Sequence, residues 1–79
     1  MQLQLNVKKE TEEVIAELLT LNLEANAESI QSAIDGGSTG TEIIMGVRYE
    51  MQKIKMDQLP APLQNRIRII VSEIGRLTS

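Results

Sequence analysis

The residues of this sequence that are best suited to chemistry are carboxylates, and most of them lie in its first half. Six acids are spaced three, four, seven, four and seven residues apart: Glu10, Glu13, Glu17, Glu24, Glu28 and Asp35. On one continuous helix this spacing places all six within about 60° of arc. Such a row steers an oppositely charged partner toward a protein. We therefore predict that Glu10, Glu13, Glu17, Glu24 and Glu28 bind a basic surface of another protein. A solvated outer helix face is the alternative interpretation.

Other kinds of site find little support. The chain has no Cys and no His, which removes thiolate and imidazole metal ligands and the usual nucleophilic triads. Asp35 and Glu42 lack the spacing of a calcium loop. The glycine-rich residues 36–40 precede a helix but lack the Lys of a phosphate-binding loop. We predict a protein that is not an enzyme and that holds no cofactor and no metal.

The charge balance also bears on partners. The net charge is −3, with two lysines and seven acids in residues 1–40, and six basic residues and four acids in residues 41–79. An acidic chain is poorly suited to nonspecific nucleic-acid binding. Arg66, Arg68 and Arg76 form a basic group with Arg48 and Lys53, but acids are interleaved with them. We therefore expect no nucleic-acid partner and keep a DNA-binding regulator as the weaker alternative.

Length and composition indicate one small domain, residues 1–79, with an aliphatic core. Hydrophobic residues make up 42% of the chain, yet Tyr49 is the only aromatic residue. Small cores are often supplemented by oligomerisation, and Ile69 and Val71 fall outside the main apolar stripe of their helix. We predict a homodimer.

Residues 1–7 alternate apolar and polar. They predict an extended arm or the fraying start of the first helix, or else a short strand. They lack the features of a signal peptide, and no apolar run is long enough to span a bilayer. We expect a cytoplasmic protein.

Residues 8–35 contain neither Pro nor Gly and predict helix one. Two apolar stripes lie about 120–140° apart around its axis. The stripes are Val14, Leu18, Leu21 and Ala25, and then Leu23, Ala27, Ile30 and Ile34. Either one long helix contacts different neighbours along its length, or the chain breaks near residues 20–22, with Asn22 or Asn26 capping a second piece. We favour one long helix that ends at Gly36 and Gly37 in a left-handed conformation.

Two further helices complete the predicted fold. Thr39 and Glu42 have the spacing of a capping box at the start of helix two, residues 41–58. Gly46 inside this helix predicts a close helix crossing. Pro62 suits the first turn of helix three, residues 62–77, which carries a heptad stripe of Leu63, Ile67, Ile70, Ile74 and Leu77. The fold class is all-α, a three-helix up-down-up antiparallel bundle whose first helix is long or broken.

Residues 41–51, Thr-Glu-Ile-Ile-Met-Gly-Val-Arg-Tyr-Glu-Met, followed by residues 63–74, resemble the C-terminal helix pair of small all-helical immunity proteins from bacterial toxin systems. The resemblance implies a bacterial protein that neutralises a cognate toxin by binding it, and it assigns no functional residues. With the small size and the acidity, it favours a protein-protein interaction module of the immunity or antitoxin type. A self-associating regulatory or scaffold domain is the alternative.

Overall fold

The computed structural model describes residues 6–78, which contain helices and no strand. The four α-helices are α1 (Val7–Thr20), α2 (Glu24–Gly36), α3 (Gly40–Gln52) and α4 (Ala61–Thr78), and a single 3₁₀ turn, Met56–Gln58, precedes α4. The all-α prediction is confirmed. Most of the predicted arm, residues 1–5, lies outside the described residues. Asn6 caps α1 by accepting a hydrogen bond from the Lys9 N–H at 3.0 Å.

The expectation of one long first helix is wrong, because the chain turns between α1 and α2. The Leu23 N–H donates to the Leu18 carbonyl at 2.9 Å, and the Asn22 N–H donates to the Leu19 carbonyl at 3.1 Å. This pair of bonds is a Schellman motif. Its left-handed residue is Asn22, with φ 61°, a conformation that Asn tolerates better than most residues. Asn22 thus ends α1 and caps no second helix, since the N-cap of α2 is Leu23.

The break lets residues from both apolar stripes of the first half face one core, although Ala25 of the first stripe is exposed. Val14 and Leu18 of α1 and Ala27 and Ile30 of α2 are all buried. Helix α1 packs on α2 and α4, and α3 packs on the same two helices, so the bundle has four helices and the three-helix description is corrected. Leu21, placed in the first stripe by the sequence, is 38% exposed because it lies in the turn.

The connection between α2 and α3 is tight, but it uses no left-handed glycine, so that expectation is also wrong. Gly36 is the last residue of α2, and Gly37 is extended with φ −79° and ψ 139°. A Cβ atom at Gly37 would clash with Ile43 Cγ1 and would lie 3.0 Å from the Ile43 backbone nitrogen. Close approach of Ile43 therefore explains Gly37, and backbone conformation does not.

The capping residues of α3 behave as the sequence predicts. Thr39 is the N-cap, and its Oγ1 accepts a hydrogen bond from the Glu42 N–H at 3.1 Å. The Glu42 carboxylate reaches back to the Ser38 N–H at 3.1 Å, one residue before the cap. Gly46 marks a close crossing with α2, since a Cβ atom there would lie 3.2 Å from the Ala33 Cβ. Both predictions, the cap and the crossing, are confirmed.

Helix α3 ends at Gln52, earlier than the predicted residue 58, and Ile54 is buried beyond its end.

Helix α4 matches its prediction within one residue at each end. Four residues of its stripe are fully buried: Leu63, Ile67, Ile70 and Ile74. Leu77 is 46% exposed and lies outside the core. Within residues 6–78, no helix combines the length and the apolar character needed to cross a membrane.

Candidate functional site

Three of the predicted partner-binding acids lie together on α1 and face a basic residue of α4. Arg66 Nη1 lies 2.5 Å from Glu13 Oε1 and 3.8 Å from Glu10 Oε1, and Arg66 Nε lies 3.8 Å from Glu17 Oε1. Turns of α1 bring the three carboxylates to one side, and the packing of α4 on α1 brings Arg66 between them. We call Glu10, Glu13, Glu17 and Arg66 the α1 acidic face.

The α1 acidic face keeps an excess of negative charge. The hydrogen bond to Glu13 raises the pKa of Arg66, partial burial opposes the rise, and the charges of Glu10, Glu13 and Glu17 add to it. Arg66 is therefore fully protonated, and three carboxylates against one guanidinium leave a formal charge of −2. All four side chains are partly exposed to solvent, so their field reaches an approaching molecule.

Glu24 and Glu28, the other two predicted acids, belong to α2 and do not continue the row on α1. Both are exposed. Glu28 lines a shallow depression together with Glu50 of α3 and Lys53, the residue that follows α3, where Lys53 Nζ lies 3.1 Å from Glu50 Oε1. The turn at Asn22 divides the predicted row into two acidic areas on two helices.

A groove that the sequence pattern does not predict lies between α3 and α4. Its volume is about 440 Å³. It is lined by the apolar residues Met51, Ile54, Met56, Ile67 and Val71 and by the polar residues Gln52, Arg68 and Ser72. Met51, Ile54 and Ile67 are buried, Met56 and Val71 are half-buried, and the polar residues are exposed. We call this the α3–α4 groove. The early end of α3, which the helix pattern did not indicate, leaves Met56 beside it.

A smaller depression lies next to the α3–α4 groove and shares Gln52 with it. Its other lining residues are Met45, Arg48 and Tyr49 of α3. Met45 is 53% exposed and Tyr49 is 62% exposed, and the Lys53 ammonium lies 4.8 Å from the centre of the Tyr49 ring. The Arg48 guanidinium lies against Gly75 of α4. Its Nε is buried and has no hydrogen-bond partner among the described residues.

The basic residues of the second half of the chain, residues 41–79, divide into those that form ion pairs and those that do not. Arg76 pairs with Glu73, Lys53 pairs with Glu50, and Arg66 pairs with α1. In residues 6–78, Arg48, Lys55 and Arg68 have no carboxylate oxygen within 4.0 Å. Arg68 has only two long hydrogen bonds of 3.4 Å, to the neutral side chains of Asn65 and Gln64. The sequence shows all these charges but not which of them are paired.

A separate cavity of about 300 Å³, which we call the third cavity, lies between the N-terminal ends of α1 and α3 and the end of α2. Its lining is mainly apolar and includes Val7, Ile34, Ile44 and Val47. Thr11 also lines it, and the buried Thr11 Oγ1 has no hydrogen-bond partner within the described part of the chain. Among the described residues that line this cavity, Thr11 supplies a hydroxyl and Lys8 is the one ionisable residue, so they form no titratable pair for acid-base chemistry.

The described residues contain no group of three or more acidic side chains placed to hold a metal ion. The three carboxylates of the α1 acidic face surround a guanidinium, which occupies the position that a cation would take. The arrangement is suited to binding charged surfaces. Comparisons with protein-family models, curated proteins and solved structures gave no match for this chain.

Proposed function

We propose that this chain is a small acidic protein-protein interaction module of the immunity or antitoxin type, which neutralises a cognate toxin by binding it. The observation that carries the proposal is the α1 acidic face, where three carboxylates converge with one guanidinium between them. The two exposed acids of α2, Glu24 and Glu28, extend the negative charge onto the next helix.

A toxin that acts on nucleic acids fits this surface, because its own active site must attract phosphates and is therefore basic. An acidic protein that covers such a site excludes the substrate by occupying it. Opposite charges mainly raise the association rate and the specificity, and their effect fades with salt. The proposed partner is thus a protein with a basic surface, and the helical bundle is the rigid support that presents the carboxylates.

The test is the association rate of the partner, first identified by crosslinking in the source cells followed by mass spectrometry. Glu24→Gln with Glu28→Gln removes two charges without touching Arg66 and should slow association at low salt. Arg66→Gln makes the α1 acidic face more negative and should speed association with a basic partner. The matched control is Glu12→Gln, which removes an exposed acid from α1 outside the predicted row and should have the smaller effect.

The expected changes in association rate have opposite signs for the Glu24 and Glu28 variant and for the Arg66 variant. A face that is merely solvated would show no such difference. If Arg66→Gln leaves the rate unchanged or lowers it, the α1 acidic face does not meet a basic surface and the proposal fails. Charge neutralisation suits this test better than charge reversal. Lysines at positions 13 and 17 would lie beside Arg66, and the resulting repulsion would destabilise the contact between α1 and α4.

Self-association is the alternative function, and one observation favours it. Ile69 is 56% exposed and lines a shallow depression with Glu10, Pro62, Asn65 and Arg66. Two copies that meet here around a two-fold axis would bring Arg66 of each copy near Glu10 of the other. The charges that face each other across this contact would then be opposite. We therefore propose that any homodimer forms through Ile69 and not through Val71, which lines the α3–α4 groove.

Light scattering tests the dimer. A homodimer has twice the 8.8 kDa mass of the chain, and Ile69→Asp should return it to the monomer mass. Leu19→Asp, which changes a 48% exposed residue of α1, is the control and should leave the dimer intact. A parent protein that stays at the monomer mass at high concentration contradicts self-association.

A further inference from the structure

We infer that the α3–α4 groove is a second docking surface and that it takes an acidic amphipathic segment of another protein. The groove involves neither Arg66 nor the carboxylates of α1, so it is independent of the α1 acidic face. Its features match two properties of such a segment: an apolar side chain and carboxylates on either side of it.

The apolar contact comes from side chains that adapt to what they bind. Met51 and Met56 line the groove with Ile54, Ile67 and Val71, and methionine fits irregular partners because its side chain is unbranched and polarizable. Met45 and Tyr49 extend this surface along α3 and are more than half exposed. Tyr, Met and Arg are the residues enriched at protein-protein interfaces. An apolar side chain of the partner would cover Met56 and Val71, the half-exposed part of the lining.

The charged contact comes from Arg48 and Arg68, the two arginines that have no carboxylate partner within the described residues 6–78. Arg68 lies on α4, and the Arg48 guanidinium lies against Gly75 of the same helix. The backbone positions of Arg68 and Gly75 are seven residues apart, which is about 10 Å along a helix axis. In the unbound chain the Arg68 guanidinium is turned toward Gln64 and Asn65 by two long hydrogen bonds, so it changes rotamer to meet a carboxylate at this spacing. On a helical partner, carboxylates at positions i and i+7 span the same distance on one face, and an apolar residue at i+3 or i+4 lies between them.

A second copy of this chain fits the groove poorly. A two-fold contact through the groove would place Arg48 and Arg68 of both copies against each other. In a head-to-tail contact, Glu10 and Glu17 of one copy have the i and i+7 spacing, but its Arg66 lies within 3.8 Å of both. Nucleic acid fits no better, because phosphates gain nothing from the apolar lining between the arginines. The groove therefore favours an acidic amphipathic peptide.

The experiment uses the full chain and two synthetic helical peptides of about 20 residues. The acidic peptide has Glu at i and i+7 and Leu at i+3 and i+4, and the matched peptide has Gln in place of both Glu. Methyl NMR should show shifts of Met56 and Val71 with the acidic peptide, while Val7 and Ile44 of the third cavity stay unchanged. Arg68→Glu should weaken binding about tenfold. Lys9→Gln, which removes an exposed cation of α1, should not change it.

Specific results would overturn the inference. Equal affinity for the Glu and Gln peptides would show that Arg48 and Arg68 do not select acidic partners. Methyl shifts away from the groove, or binding that survives Arg68→Glu, would place the peptide elsewhere. Light scattering that shows an Arg68-dependent oligomer would assign the groove to a second copy. Competition by a 20-nucleotide DNA that Arg68→Glu abolishes would assign it to nucleic acid.

Discussion

The two halves of this bundle carry opposite charge and use it differently. Helices α1 and α2 hold most of the acids, and three of them share Arg66 from α4. Residues 41–79, which contain most of α3 and all of α4, hold six of the eight basic residues of the chain, yet Arg48 and Arg68 have no carboxylate partner within residues 6–78. The acidic half thus presents partly neutralised carboxylates, whereas the basic half presents unpaired arginines beside an apolar groove.

This difference shows that the count of charges in a segment says little about the surface it presents. Arg66 belongs to the basic half by sequence but acts at the acidic surface. Glu73 and Glu50 are acids of the basic half, and each neutralises a cation there. What a partner meets is the charge left after pairing, and the packing of the helices decides that pairing.

The largest expected effect comes from the core that both halves share. Ile70 of α4 is fully buried, and its neighbour Ile69 is 56% exposed. Ile70→Ala should lower the free energy of unfolding by about 2–5 kcal/mol, since it removes buried contacts and leaves a cavity. Ile69→Ala removes the same atoms from the surface and should cost less than about 1 kcal/mol. Urea unfolding measures both, and equal losses would contradict the assigned core face.

The second-largest effect on stability is expected at the connection between α2 and α3, which joins the two halves. Gly37→Ala places a Cβ atom in steric conflict with Ile43 Cγ1, and the shift required to relieve the conflict should cost about 1–3 kcal/mol. Gly36→Ala is the matched control, because no atom lies within 4 Å of its Cβ position and Ala favours the helix by up to about 1 kcal/mol. Thermal unfolding should therefore show opposite signs for the two variants. A stabilised Gly37→Ala protein would contradict the close approach of Ile43.

A smaller loss of stability is expected when Arg66, the cation of the α1 acidic face, is removed. Arg66→Gln leaves Glu10, Glu13 and Glu17 together without their cation, so it should lower the unfolding midpoint, and added salt should reduce the loss by screening the repulsion. Arg68→Gln removes an arginine of the same helix for which the described part of the chain holds no carboxylate partner, and it should leave the midpoint nearly unchanged. Equal midpoints for the two variants at low salt would show that Arg66 contributes no more to stability than Arg68 does.

The smallest effect concerns acid pH and the pair of Glu73 with Arg76. The hydrogen bond from Arg76 lowers the pKa of Glu73 below its usual 4.5. A lowered folded-state pKa stabilises the protein above the unfolded-state value, and this stabilisation is lost as pH falls through the folded-state value. The midpoint difference between the parent and Glu73→Gln should be constant above about pH 5 and shrink at lower pH. A difference that does not depend on pH would contradict the lowered pKa.

The elements of the fold follow from local signals in the sequence. The heptad spacing of Leu63, Ile67, Ile70 and Ile74 predicted the buried face of α4, since residues three and four apart share a helix face. Thr39 and Glu42 predicted the start of α3, because capping bonds join residues within one turn. Gly46 predicted the close crossing of α2 and α3. Each of these signals acts over a few residues, so the sequence displays it directly.

The sequence alone determined an aliphatic helical protein, its capping residues, the core face of α4 and the concentration of acids in its first half. The tertiary structure decided the break at Asn22, because a left-handed Asn costs little and lets Val14 and Ile30 face the same core. It also decided which charges are paired, since Arg66 meets Glu13 across 53 positions of chain. The α3–α4 groove is another feature that the tertiary structure decided. It exists because helices packed side by side leave a gap where α3 ends, and no local pattern encodes the contacts between them.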